Sequence, residues 1–229
     1  MNQYAKLFCL LIAGFCAASA LACVDSVVLV HGNTSSPASW DNTYVELRAR
    51  GVPAGQIFRP AWGTSCAACN DHNGSEETPV INAIVDALAA SCTGKIDVIG
   101  HSMGVTLAAR QIAEHGLAGQ VNTFVGVAGA WRGLWTCGVY PWNVWNSTCG
   151  RWGLSISNPF LDWLDGRALG ARVYSIKSWI DQVVCATGTC TVGGIHSSRI
   201  TGENGTLSFS LGHFGLQTDT AVTQVNLIL

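Results

Sequence analysis

The chain has 229 residues, 48% apolar and 11% charged, with 12 Lys and Arg set against 14 Asp and Glu. That balance excludes a disordered, collagen-like or strongly basic protein, and no run of like charge offers a surface for nucleic acid or anionic lipid. One globular domain is expected, and function has to be read from local motifs.

Lys6 precedes an apolar run from Leu7 to Ala18, which gives way to Ser19-Ala20-Leu21-Ala22. The run is too short to span a bilayer and ends in a small-x-small pattern, so residues 1–22 read as a secretory signal peptide cut near Ala22. A lipid-modified Cys23 fits less well: a lipoprotein signal usually has Leu three residues before its cysteine and a small residue two before, where this chain has Ala20 and Leu21. The mature chain, residues 23–229, is long enough for a full core and reads as a single domain. Of the ten cysteines in the full sequence, Cys9 and Cys16 leave with the signal peptide; Cys23, Cys66, Cys69, Cys92, Cys137, Cys149, Cys185 and Cys190 remain, an even number that suggests disulfides in an exported protein. Close spacing pairs Cys137 with Cys149 and Cys185 with Cys190, while the other four can pair in several ways. Cys66-x-x-Cys69 also fits a redox dithiol or half a zinc site, but no second such pair and no His pair follows at zinc-finger spacing, so plain disulfide bonding is expected.

Apolar runs then alternate with amphipathic stretches, the pattern of strands and helices taking turns in a parallel sheet. Ser26 to Val30 is a strand ending at His31-Gly32-Asn33. Ser36-Pro37 opens a helix with Trp40, Tyr44 and Leu47 on one face, stopped by Gly51. The polar segment from Thr64 to Thr78 reads as a stapled loop. Thr78-Pro79 starts a second helix whose buried face is Ile81, Ile84, Val85 and Leu88, with Gly94 at its end.

The next strand, Ile96 to Ile99, runs into Gly100-His101-Ser102-Met103-Gly104 and then a helix through Leu107, Ala108 and Ile112. G-x-S-x-G is a weak pattern by itself, but here it has the strand before and the helix after that its chemistry requires. A serine on so sharp a turn is strained, and Cβ atoms two residues to either side would collide with it, which Gly100 and Gly104 avoid. The turn presents Ser102 Oγ to solvent, and the helix aims its first N–H groups at the charge that develops on an attacked carbonyl. This arrangement suits acyl transfer. His101 points away from the nucleophile on such a turn and reads as a packing residue.

Serine needs a base, and the base needs an acid to hold its tautomer. His213, in the loop Leu211 to Leu216 before the amphipathic stretch Ala221 to Leu229, stands where a parallel-sheet hydrolase would present it. His196 competes, but Gly193-Gly194 and Ser197-Ser198 around it suggest a flexible surface loop. His31, His72 and His115 precede the serine or lie too near it for the order Ser, acid, His. Asp181, in the loop after the strand Ala171 to Ile176, is the preferred acid; Asp162 and Asp165, in a helical or turn segment, are the alternatives.

Six of the nine tryptophans fall between Trp131 and Trp163, after the apolar strand Thr123 to Ala128 and around Cys137 and Cys149. Residues 131–163 read as a Trp-rich insertion or cap at the carboxyl edge of the sheet, beside the nucleophile. Two readings stay open: exposed indoles that dock on lipid or polyester or line an acyl pocket, with Trp131 and Trp135 as candidate substrate contacts, or a private core for a stapled loop.

Four pieces together resemble the alpha/beta-hydrolase superfamily, and within it the small secreted bacterial lipases of class 2. Val27 to Gly32 resembles the family's oxyanion strand and loop, and Lys95 to Gly104 its nucleophile strand and elbow. Ser175 to Val184 resembles its acid loop, and Gly212 to Leu216 its histidine loop. The resemblance implies a mostly parallel sheet with helices on both faces, Ser102 as nucleophile, Asp181 as acid and His213 as base. It also implies an oxyanion hole from the backbone N–H groups of Asn33 and Met103. The elbow departs slightly from the small lipases, with Gly100 where Ala is frequent and Val105 where a further Gly is frequent. The expected activity is hydrolysis of lipid esters through an acyl-enzyme, by a secreted monomer acting at a lipid–water or polymer interface, with no metal, organic cofactor, nucleic acid or transmembrane segment. Polyester hydrolysis of the polyhydroxyalkanoate type, and a non-catalytic lipid- or polymer-binding protein on the same scaffold, are the alternatives.

Overall fold

The computed structural model describes residues 23–229, so the expected signal peptide lies outside the described residues. The chain runs through β1 (Ser26–Val30), α1 (Asp41–Ala49), β2 (Ile57–Phe58), α2 (Glu77–Ala90), β3 (Ile96–His101) and α3 (Met103–Glu114). It continues through β4 (Val121–Val127), α4 (Pro159–Leu164), β5 (Arg172–Lys177), a small hairpin of β6 (Thr191–Val192) and β7 (Ile195–His196), β8 (Gly205–Ser208), α5 (His213–Thr218) and α6 (Ala221–Ile228). Six strands pair in parallel in the order β2-β1-β3-β4-β5-β8.

Side chains that alternate along the strands serve two cores. Val28, Val30, Val98 and Phe124 pack with Ile84 of α2, Leu107 of α3 and Phe160 of α4. Val27, Leu29, Ile99, Val125 and Val127 pack with Leu47 of α1, Leu216 of α5 and Val225 of α6. Both faces are therefore covered, which is why the strands read as unbroken apolar runs. β1, β3 and β4 end at the same edge of the sheet, and the loops leaving that edge carry the candidate site.

The second helix starts at Glu77, one residue before Thr78-Pro79, with Pro79 in the first turn where no intrahelical N–H is required. Its buried residues are Val80, Ala83, Ile84 and Ala87. Val85, expected inside, is 53% exposed, because it stands about 100° round the helix from Ile84 and leaves the stripe set by Val80, Ala83 and Ala87.

The cysteines form Cys23–Cys92, Cys66–Cys69, Cys137–Cys149 and Cys185–Cys190. The last two are the staples expected from spacing, and Cys66-x-x-Cys69 is a disulfide. Residues 131–163 are irregular up to α4, and their tryptophans divide between the core and the surface. Trp131 is buried with Leu134, Leu154 and Phe160 in the main core, and Trp152 packs against it. Trp142 and Trp145 stand 86% and 93% exposed.

Candidate active site

β3 ends at His101 and α3 begins at Met103, leaving Ser102 between them with φ 54° and ψ −129°. A positive φ is strained for a residue with a Cβ, so surrounding bonds must hold it. Ser102 N–H donates to Val127 O at 2.9 Å, and Val105 N–H donates to Ser102 O at 3.1 Å. The two glycines make room for something other than the serine. A Cβ on Gly104 would lie 2.2 Å from His31 O, and one on Gly100 would lie 2.7 Å from Val105 Cα. They admit the end of β1 and the first turn of α3, which together press the elbow into shape. Gly32 has the same function from the other side: its Cβ would come within 3.0 Å of Ser102 Cβ, so the loop bearing Asn33 lies directly on Ser102. Ser102 is half-buried and Met103 wholly buried, at the N-terminus of α3, where free N–H groups carry partial positive charge.

The structure brings His213 and Asp181 together. His213 Nδ1–H donates to Asp181 Oδ2 at 2.8 Å and lies 3.0 Å from Oδ1, with both side chains buried. Val183 N–H and Val184 N–H each donate to Asp181 Oδ1 at 2.8 Å. Burial opposes the charge on Asp181, but the His213 hydrogen bond, the His213 charge and the two N–H groups outweigh it and hold the carboxyl below its ordinary range. With Nδ1 so engaged, Nε2 is the ring nitrogen left to exchange a proton.

Two further residues fasten this histidine, and neither was marked for it by sequence. Gln182 Oε1 accepts His213 N–H at 2.8 Å, and a Cβ on Gly212 would meet that oxygen at 2.8 Å. An amide next to Asp181 was the available signal. His101 Nε2–H donates to His213 O at 3.1 Å, with its ring 4.8 Å from that of His213. Burial, reinforced by the nearby His213, pushes the His101 pKa down to about 3, so this ring is neutral. It packs, as expected, but it also joins the elbow to the histidine loop.

The other candidates lie elsewhere. His196 is buried, with Nε2–H donating to Ser178 O at 3.0 Å and Nδ1 accepting Ser198 N–H at 3.1 Å. It supports the backbone of the acid loop. His72 bridges Trp152 O and Thr106 Oγ1, each at 2.7 Å. His31 stacks on Trp62, and His115 is exposed at the end of α3. Asp162 is exposed on α4, and Asp165 accepts Trp131 Nε1–H at 3.1 Å. Trp131 borders a cavity of about 150 Å³ with Arg132, Ser157 and Leu161, whereas Trp135 is 40% exposed and donates Nε1–H to Thr191 O of β6. Trp179, Ile180 and Phe214, beside Asp181 and His213 in the sequence, are 58%, 62% and 61% exposed and give the acid and histidine loops an apolar rim.

The family described as lipase (class 2) matches residues 25–226. A comparison with curated proteins finds no match. Among solved structures, the mature form of the Bacillus licheniformis lipase BlEst2 is similar at 13% identity and a TM-score of 0.63, over 91% of this chain and 94% of that one. Phospholipase PlaB from Legionella pneumophila is similar at 14% identity and a TM-score of 0.59, over 89% of this chain and 57% of that one. Aspergillus fumigatus lipase B is similar at 16% identity and a TM-score of 0.55, over 82% of this chain; the chain spans only 44% of that protein's length. At these identities the likeness is one of fold, a parallel sheet with helices on both faces.

Proposed function

Since the chain belongs to the class 2 lipase family, and so to the lipolytic carboxylic ester hydrolases, we propose that Ser102, His213 and Asp181 are its nucleophile, base and acid. The observation that carries this reading is the buried Asp181–His213 hydrogen bond, with His213 at the start of α5 fastened to the Ser102 elbow through His101. His213 Nε2 takes the Ser102 proton as Oγ attacks the ester carbonyl, and Asp181 holds the imidazolium that forms. The N–H groups of Asn33 and Met103 bind the oxyanion, His213 protonates the leaving alcohol, and water repeats the sequence on the acyl-enzyme. These steps call on no metal or organic cofactor.

Residues 1–22 serve as the export signal, and the four disulfides favour an oxidising compartment outside the cytoplasm. Among the described residues, no helix is long and apolar enough to cross a membrane. The substrate is a lipid ester met at an interface, in keeping with the apolar rim of Trp179, Ile180 and Phe214. Trp142 and Trp145 favour a second reading, a solid polyester, because near-fully exposed indoles on a disulfide-stapled loop suit adhesion to an apolar solid.

Hydrolysis of p-nitrophenyl esters from acetate to palmitate, by the mature protein and its Ser102→Ala variant, tests the reading. The substitution lowers kcat by about 10⁴-fold or more; equal rates for the two proteins would overturn the nucleophile. The chain length at the maximum separates lipase from short-ester esterase, and clearing of a polyester film identifies the depolymerase.

A further inference from the structure

The loop between β2 and α2 crosses to the loop that carries Asn33. Asn70, at the far end of its Cys66–Cys69 staple, is wholly buried although it is polar and belongs to no helix or strand. A buried amide is retained only where its hydrogen bonds are made, and here they are. Asn70 Oδ1 accepts Thr64 N–H at 2.8 Å, while Nδ2 donates to Asn33 Oδ1 at 2.6 Å and to Thr64 O at 3.0 Å. Asn33 answers with Nδ2–H donating to Ala67 O at 2.8 Å, so both ends of its side-chain amide are held by this one loop. Gly63, at φ +69°, closes the loop around Asn70: a Cβ there would stand 3.1 Å from the Asn70 amide. From the opposite side Thr148 Oγ1 donates to Asn70 O at 2.6 Å and Ser147 N–H donates to Ala68 O at 3.1 Å.

The residue after Asn33 shows why such a brace is needed. Thr34 has φ 57°, in the left-handed region that a β-branched residue disfavours, and its side chain is exposed. Strain of this kind persists only where neighbours hold it, and burial of Thr34 itself contributes nothing. The Asn33 side chain is the anchored group beside it.

We propose that Asn70 is a positioning residue for the oxyanion hole: through the Asn33 side chain it fixes the Asn33 backbone N–H beside Ser102. The inference rests on the assignment of that N–H to the oxyanion. An amide meets the geometry, because a carboxylate would set a second acceptor against Asn33 Oδ1, and an apolar side chain would leave Thr64 N–H and Asn33 Oδ1 without these partners.

The test is kcat and KM on a soluble short-chain ester for Asn33→Ala, Asn70→Ala and the double variant, with thermal midpoints alongside. Each single variant loses about tenfold in kcat with KM changed by less than about twofold, since the donor is displaced rather than removed. The double variant loses no more than the worse single one, because both substitutions break the same link. Losses that multiply in the double variant would overturn the proposal. So would an unchanged kcat in Asn33→Ala, a half-buried site whose substitution leaves the core intact, and this arm decides the matter alone if Asn70→Ala does not fold. Ser102→Ala keeps the two failures apart: full activity there sinks the nucleophile assignment, whereas its loss beside an unaffected Asn33→Ala sinks the brace alone.

Discussion

On the histidine side of the site, Asp181 and Gln182 are consecutive residues after β5, and each takes hold of His213 directly, one by the ring and one by the backbone. On the oxyanion side, Asn33 is held at one remove, by a buried amide on a disulfide-closed loop that is itself backed by residues 147 and 148. The first construction is short and charged, and the second is longer and built from neutral hydrogen bonds. A charged, buried contact is expected to fail abruptly when one partner is altered, whereas a neutral lattice should lose function by degrees.

Of the residues that hold His213 and Asn33, the largest effect should come from Asp181→Asn, with kcat lowered about 10³- to 10⁴-fold by loss of the tautomer that leaves Nε2 free. The same variant carries a pH signature. Because the native carboxyl is held below its ordinary value, its charge adds stability above the unfolded pKa near ~4, and this is lost as pH falls through the lower native value. Unfolding midpoints of Asp181→Asn should therefore fall less steeply than wild type on acidification below about pH 4. An identical slope would mean that Asp181 is not held as described.

A smaller loss, about tenfold in kcat, is expected from Gln182→Leu, which removes the backbone grip on His213 and leaves Asp181 in place. If stopped-assay kinetics gave a loss as great as that of Asp181→Asn, the two grips would be one unit rather than a ring contact with a backbone support. Smallest of all is the Cys66→Ser, Cys69→Ser pair, for which about a threefold fall in kcat is expected, because the hydrogen bonds of Asn70 remain when the staple opens. Closing so short a loop contributes under about 2 kcal/mol, so the thermal midpoint should move little. A loss approaching that of Asn70→Ala would show that the staple, not the amide, bears the oxyanion side.

This contrast also separates what sequence alone could reveal. Ser102 was legible because its chemistry demands a strand, a turn and a helix in succession, and the chain spells all three between Ile96 and Ile112. The parallel sheet was legible for a similar reason, since strands covered on both faces must be apolar throughout. Asn70 was not, because its partner Asn33 lies 37 residues away and neither residue belongs to a periodic element. The contact exists only once β1 and β2 lie side by side. Gln182 stood next to Asp181, yet the atom it binds is a backbone N–H with no mark in the sequence. The tryptophans from 131 to 163 were ambiguous because indole suits an interior and an adhesive surface equally well, and the segment buries some and exposes others.

Cys23, where the described chain begins, is joined to Cys92, in the turn between α2 and β3, only a short step before β1 starts. A pull applied at Cys23 is therefore passed to the far side of the bond before it can peel β1 from its neighbours. Attachment to a bead or a column through the N-terminus would load the covalent link and spare the strand that leads to Asn33.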